Sequence, residues 1–214
     1  MPNATPPQQF QDNETVRIEA FSDGVFAIAI TLLTFELKAP TVKDDFTSRT
    51  LFWALLQQWP AYIAYVLSFG TIFTIWVNHH RMFNVIRRSD ARFLYLNGLL
   101  LFLTCLIPFS ANILARYIQT SATEASTILS MLLFGSITAT LYAMWHHATT
   151  DLRLLKRPSS DVRVIMVRKG LAISTGVYVL SALMAMLLPL LSILIGLAMV
   201  AYLARLMYHR QKVV

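Results

Sequence analysis

Apolar residues gather in long runs separated by short polar stretches, and several runs approach the roughly 20 residues an α-helix needs to cross hydrocarbon. Six spans follow from the pattern: Val16 to Leu37, Leu51 to Val77, Ala91 to Leu114, Ala125 to Ala148, Val164 to Leu188, and Pro189 to about Tyr208. The stretch from Leu171 to Met207 is too long for one span, and Pro189 near its middle ends or kinks a helix, so a tight hairpin is expected there. The pattern predicts an all-α integral membrane protein, a single six-helix transmembrane domain over residues 1–214 behind a polar tail of about fifteen residues.

Composition agrees. Hydrophobic residues make up 56% of the chain and charged residues 14%, against about 25% charged in a soluble domain. The first sixteen residues are polar, carry two acids and lack a basic n-region, so no signal peptide is expected and the first apolar run should be retained. The single cysteine, Cys105, lies in an apolar run and excludes an internal disulfide framework.

The net charge of +7 does not point to nucleic acid, because the basic residues alternate between connections and form no single face. One set comprises Arg17, then Arg81, Arg87, Arg88 and Arg92, then Arg153, Lys156, Arg157, Arg163, Arg168 and Lys169, and finally Arg205, Arg210 and Lys212. The opposite set is Lys38, Lys43, Arg49 and Arg116. The positive-inside rule places the richer side, and with it both termini, in the cytoplasm. An even number of spans requires the same.

The stretch Arg17-Ile18-Glu19-Ala20-Phe21-Ser22-Asp23 places charge and hydroxyl at the head of the first apolar helix. Such groups are costly at membrane depth and are usually paired and functional. At about 100° per residue, Gly24, Ile28, Thr31 (or Leu32) and Phe35 fall on one stripe, with Asp23 about 140° round from Ile28 and Ser22 about 120° round on the other flank. The stripe fits a pore lining, and it equally fits packing against other helices.

A second polar cluster, Trp76-Val77-Asn78-His79-His80-Arg81, ends the second span at a depth similar to Ser22 and Asp23. Indole and imidazole N–H groups can donate to a carboxylate and a hydroxyl. A network from Ser22 and Asp23 to Trp76, Asn78, His79 or His80 would lower the cost of burying the acid. The pairs His79-His80 and His146-His147 also suggest iron ligands, but five histidines are too few for a membrane di-iron site. They read as interfacial, hydrogen-bonded side chains, with no metal. Trp53, Trp59, Tyr62, Tyr202 and Tyr208 suit aromatic belts. Glu36 suits an external mouth, while Asp44 and Asp45 suit a solvated loop.

Several signatures are missing. No Thr-Val-Gly-Tyr-Gly filter appears, no arginine series spaced by three runs through a span, and no Walker A loop, Gly-x-Ser-x-Gly elbow or His-Glu-x-x-His is present. No enzyme chemistry is indicated.

The pattern Arg17-x-x-x-Phe21-Ser22-Asp23, with Trp76, Asn78 and His79 at the end of the second span, resembles the transmembrane protein 175 family of lysosomal and prokaryotic potassium channels. The resemblance is most specific over the first two spans. It implies that a single-repeat chain forms a homotetramer in a prokaryotic cell membrane, with the first helices around the axis. Gly24, Ile28, Thr31, Leu32 and Phe35 would line that axis, and the apolar rings would select potassium over sodium through dehydration. Arg17, Ser22, Asp23, Trp76, Asn78, His79 and His80 would hold the helix in place, and no cofactor beyond the permeant ion would be needed. A small cation or proton-coupled secondary transporter is the alternative, although no repeat between the halves supports a midplane site.

Overall fold

The computed structural model describes residues 9–41, 47–86, 88–150, 154 and 162–209. Lys43, Asp44, Asp45, Arg87, Arg153, Lys156, Arg157, Arg210 and Lys212 lie outside them, as does the tail through Gln8. The described chain is helical: α1 is Gln9–Leu32, continued by a 3₁₀ turn at Leu33–Glu36; α2 is Ser48–Gln57; α3, Trp59–Val85; α4, Ala91–Cys105; α5, Ile107–Tyr117; α6, Thr123–Thr150; α7, Val162–Ala185; α8, Pro189–His209.

Five stretches among the described residues are long and apolar enough to cross a membrane: Thr15–Glu36, Trp59–Val85, Ala91–Tyr117, Thr123–Thr150 and Val164–Ala185. The apolar stretch Pro189–Leu203 is shorter than these and stands where hydropathy places the sixth pass.

Two predicted spans are not single helices. The second breaks at Gln58, so its first turns become the separate helix α2, while α3 runs on to Val85 instead of stopping at Val77. Pro60 sits in the first turn of α3, where its missing N–H is tolerated but cannot bond back into α2. The third span breaks at Leu106 for the same reason, with Pro108 opening α5. The first span ends in the 3₁₀ turn, and the fifth ends at Ala185. Met186 and Leu187 form the turn before Pro189, with their amides bonded to Leu183 and Met184. The Ser192 hydroxyl donates to the Ser181 carbonyl at 2.8 Å, closing the hairpin between α7 and α8.

Helix starts follow local chemistry. Thr47 and Thr50 form a reciprocal capping box on α2, and Asp90 caps α4 by accepting from the Phe93 amide at 2.8 Å. The core centres on α6, which packs against α4, α5, α7 and α8. Met131, Phe134, Ile137, Leu141, Met144 and Trp145 are buried along it. Trp145 donates its indole N–H to the Val164 carbonyl at 3.0 Å, securing α6 to α7. In contrast, α1 lies at the side of the bundle, in contact with α3, α4 and α5.

Candidate functional site

The two faces of α1 differ sharply. Ser22, Phe26, Ala29 and Leu33 are buried against the bundle, Phe26 at 1% exposure. Opposite them, Phe21, Gly24, Ile28, Thr31, Leu32 and Phe35 are exposed along the helix, with Ile28 at 61%, Leu32 at 44% and Phe35 at 75%. The stripe drawn from 3.6-residue periodicity is therefore the face that the chain leaves uncovered. Thr31 donates its hydroxyl to the Ile28 carbonyl at 2.9 Å, which leaves its oxygen lone pairs free on that face.

The buried face is held by side-chain bonds from two helices. Trp76 of α3 donates its indole N–H to Asp23 Oδ1 at 2.9 Å. Asn97 of α4 donates from Nδ2 to the Ser22 hydroxyl at 3.1 Å, and the Ser22 O–H in turn donates to the Ile18 carbonyl one turn back at 2.8 Å. The other end of the Asn97 amide, Oδ1, lies 2.9 Å from His79 Nε2. An amide oxygen can only accept, so Nε2 carries the imidazole proton and Nδ1 is left as a bare acceptor. Nδ1 is buried with no hydrogen-bond partner among the described residues. The ring lies against Phe26 edge to face and against a tilted Phe83 ring, with centroids 5.2 and 4.5 Å away.

His80 is bonded separately: its Nδ1 lies 2.7 Å from Glu19 Oε1, a second link between α1 and α3. Asn78 stands outside the network, because its Nδ2 donates to the Thr74 carbonyl of its own helix at 2.9 Å. Arg17 is exposed at the head of the stripe. Glu36 is partly buried and accepts a hydrogen bond from Asn112 of α5, so the 3₁₀ turn is anchored to the bundle through the carboxylate that the sequence places at an external mouth.

Asn97 and Glu19 are the residues that sequence reasoning missed. An asparagine within the apolar run Leu94 to Leu103 carries the same signal as Asp23, a polar group at membrane depth that needs a partner. Glu19 lies within the quoted first-helix stretch but has no place in the family pattern.

The remaining histidines also hydrogen-bond. His147 lies 2.8 Å from Asp90 Oδ2, and His146 Nδ1 lies 3.4 Å from the Thr150 hydroxyl. Among the described residues no group of three or more His, Cys, Asp or Glu side chains could hold a metal ion. The arrangement offers a helix held by side-chain bonds, with one open, mostly apolar face.

The sequence model of the family described as "Endosomal/lysosomal potassium channel TMEM175" matches residues 17–108. A potassium channel of Chamaesiphon minutus is 40% identical over 171 residues, covering 80% of this chain and 84% of that protein. The crystal structure of a lysosomal potassium-selective channel TMEM175 homolog from Chamaesiphon minutus superimposes with a TM-score of 0.78 at 35% identity, covering 90% of this chain and 97% of the other. The human endosomal/lysosomal proton channel TMEM175 is 37% identical over 111 residues, half of this chain and 21% of its own length. The chain therefore belongs to the TMEM175 family, a family of membrane ion channels and not of enzymes.

Proposed function

We propose that this chain is a passive cation channel of a prokaryotic cell membrane, conducting potassium in modest preference to sodium as a homotetramer with α1 of each subunit at the axis. The observation that carries this reading is the two-faced α1. Its buried side is pinned by Trp76, Asn97 and His79, while Ile28, Thr31, Leu32 and Phe35 remain uncovered. A helix held so firmly behind a bare apolar face is suited to line an assembly axis.

In such an assembly, four copies of each stripe residue form stacked rings. Apolar rings at Ile28 and Leu32 give a passing cation nothing to replace its water, so passage selects the ion that dehydrates more readily, which is potassium. A neck of this kind also gates by dewetting. The free lone pairs of Thr31 compensate in part, which limits the preference. No cofactor takes part, and the positive-inside rule places both termini in the cytoplasm.

The naming of the human relative as a proton channel favours one competing reading, in which the pathway carries protons or couples them to a transported cation. Purified protein in proteoliposomes separates these readings. Potassium efflux at channel rates, with slower sodium efflux, supports the proposal. Proton flux without potassium flux, or saturable exchange at transporter rates, replaces it.

A further inference from the structure

We infer that α2 is a membrane-surface helix, seated in the lipid headgroup and acyl boundary at the membrane face where α1 ends and α3 begins. The inference depends on the chain crossing a bilayer and is independent of which ion the channel carries.

The depth of α2 follows from α3. The polar cluster Asn78 to Arg81 marks one boundary of the hydrocarbon, since such groups seek an interface. Trp59, the first residue of α3, is nineteen residues before Asn78, about 28 Å at 1.5 Å per residue. That distance matches the roughly 30 Å thickness of the hydrocarbon core. Trp59 and Tyr62, both partly exposed, therefore fall at the opposite boundary, where amphipathic aromatic rings collect. Helix α2 ends two residues earlier, at Gln57, and the chain bends at Gln58. It has used up the hydrocarbon depth and lies at the level of the headgroups.

The surface of α2 fits that level. None of its ten residues is buried, although Phe52 is 60% and Trp53 55% exposed, and Leu51, Leu55 and Leu56 are also open. On a helical projection Leu51, Leu55, Phe52, Leu56 and Trp53 span an arc of about 200°, with Thr50, Ala54 and Gln57 in the remaining sector. Arg49 lies within the apolar arc at the helix start, where its stem can cover apolar surface while the guanidinium reaches lipid phosphate. Five large apolar side chains on ten residues would be poorly tolerated in water. Among the described residues this helix packs chiefly on α3, whose own flank is open at Val66 and Phe73. An open apolar helix joined through Gln58 alone to the end of a membrane span finds lipid as the apolar medium at that level.

Site-directed spin labelling of the full chain in proteoliposomes tests this. Phe52→Cys, Leu56→Cys and Gln57→Cys would be made singly in a Cys105→Ala background, each checked for intact assembly. The labels at 52 and 56 should be several-fold more accessible to oxygen than to a water-soluble nickel complex, at a depth of about 5–10 Å below the phosphates, with the ratio reversed at 57. Nickel access at 52 and 56 equal to that at 57 would place α2 in water and overturn the inference. Exclusion of both reagents at 52 and 56 would bury the face against a second copy of the chain and overturn it equally. If one label disturbs assembly, the other reads the same face.

Discussion

Trp76 and Asp23 meet across 2.9 Å, indole N–H to carboxylate, fifty-three residues apart in sequence. The bond holds the first helix against the third from the side opposite its exposed stripe. It also gives the acid a partner at a depth where an unpaired carboxylate would be expensive.

Replacing Asp23 with leucine should leave the Trp76 donor without an acceptor and cost about 1–3 kcal/mol. Asp23→Asn should cost less, because an amide oxygen can still accept from the indole. The apparent Tm of purified assemblies in detergent would show the order wild type, Asn, Leu. Ion selectivity should change little in any variant that assembles. A sharp change in the potassium-to-sodium ratio with normal assembly would mean that Asp23 faces the ion path instead.

Asn97 is bonded at both ends of its amide, to Ser22 and to His79. Asn97→Leu removes both partners at once and leaves the buried His79 Nε2–H unsatisfied. A loss of at least the same 1–3 kcal/mol is expected, and a double-mutant cycle with Ser22→Ala should show coupling between them. Additive losses would mean that the two residues stabilise the bundle independently.

The uneven legibility of the chain has a physical basis. Span positions were readable because burying twenty apolar residues in lipid leaves a signal that no local detail erases. The helix breaks at Gln58 and Leu106 are carried by Pro60 and Pro108, with Gln57 and Gln58 beside the first, and averaging over a span-length window hides such short interruptions. The exposed face of α1 was readable from periodicity, since its small and branched residues recur at helical spacing. The partner of Ser22 was not readable, because Asn97 is seventy-five residues away and only the packing of α4 beside α1 brings it near.

Gly70 is a close-approach position. A Cβ placed there would come within 2.6 Å of Val200 Cγ1 on α8, and the β-branched valine has little freedom to rotate in a helix. Gly70→Ala should force α3 and α8 apart and cost about 1–3 kcal/mol, as overpacking does. Val200→Ala in the same chain should recover most of the loss. Thermal unfolding of the single and double variants decides the point, and a lack of rescue would place the clash elsewhere.

Asp90 gives the fold an acid-sensitive element. Its partial burial acts to raise the carboxyl pKa, but the Phe93 amide and the His147 side chain outweigh that and hold it below the ordinary value. A carboxyl whose folded pKa is depressed contributes stability above its unfolded pKa and loses it as pH falls through the folded one. Melting temperatures taken from about pH 5 down to pH 3 should therefore fall less steeply for Asp90→Asn than for wild type. Parallel curves would show that the cap and the His147 contact do not depend on the charge.

Ile28 is the best candidate for the narrowest ring of the proposed pore. It is 61% exposed in the single chain and branched at Cβ, hence stiff, and its own carbonyl accepts the Thr31 hydroxyl at 2.9 Å. Apolar side chains at that level would keep the neck dry, whereas asparagine would admit water and supply amide oxygens to a passing cation. Ile28→Asn should raise single-channel conductance in planar bilayers and lower the preference for potassium over sodium. Leu32, one turn further along the stripe and less exposed at 44%, should show a weaker effect when changed in the same way. Unchanged current and selectivity in Ile28→Asn, together with a strong effect in Leu32→Asn, would move the neck one turn toward the 3₁₀ segment. No effect in either variant would remove α1 from the conduction path, because no permeant ion could pass such rings without sensing the change.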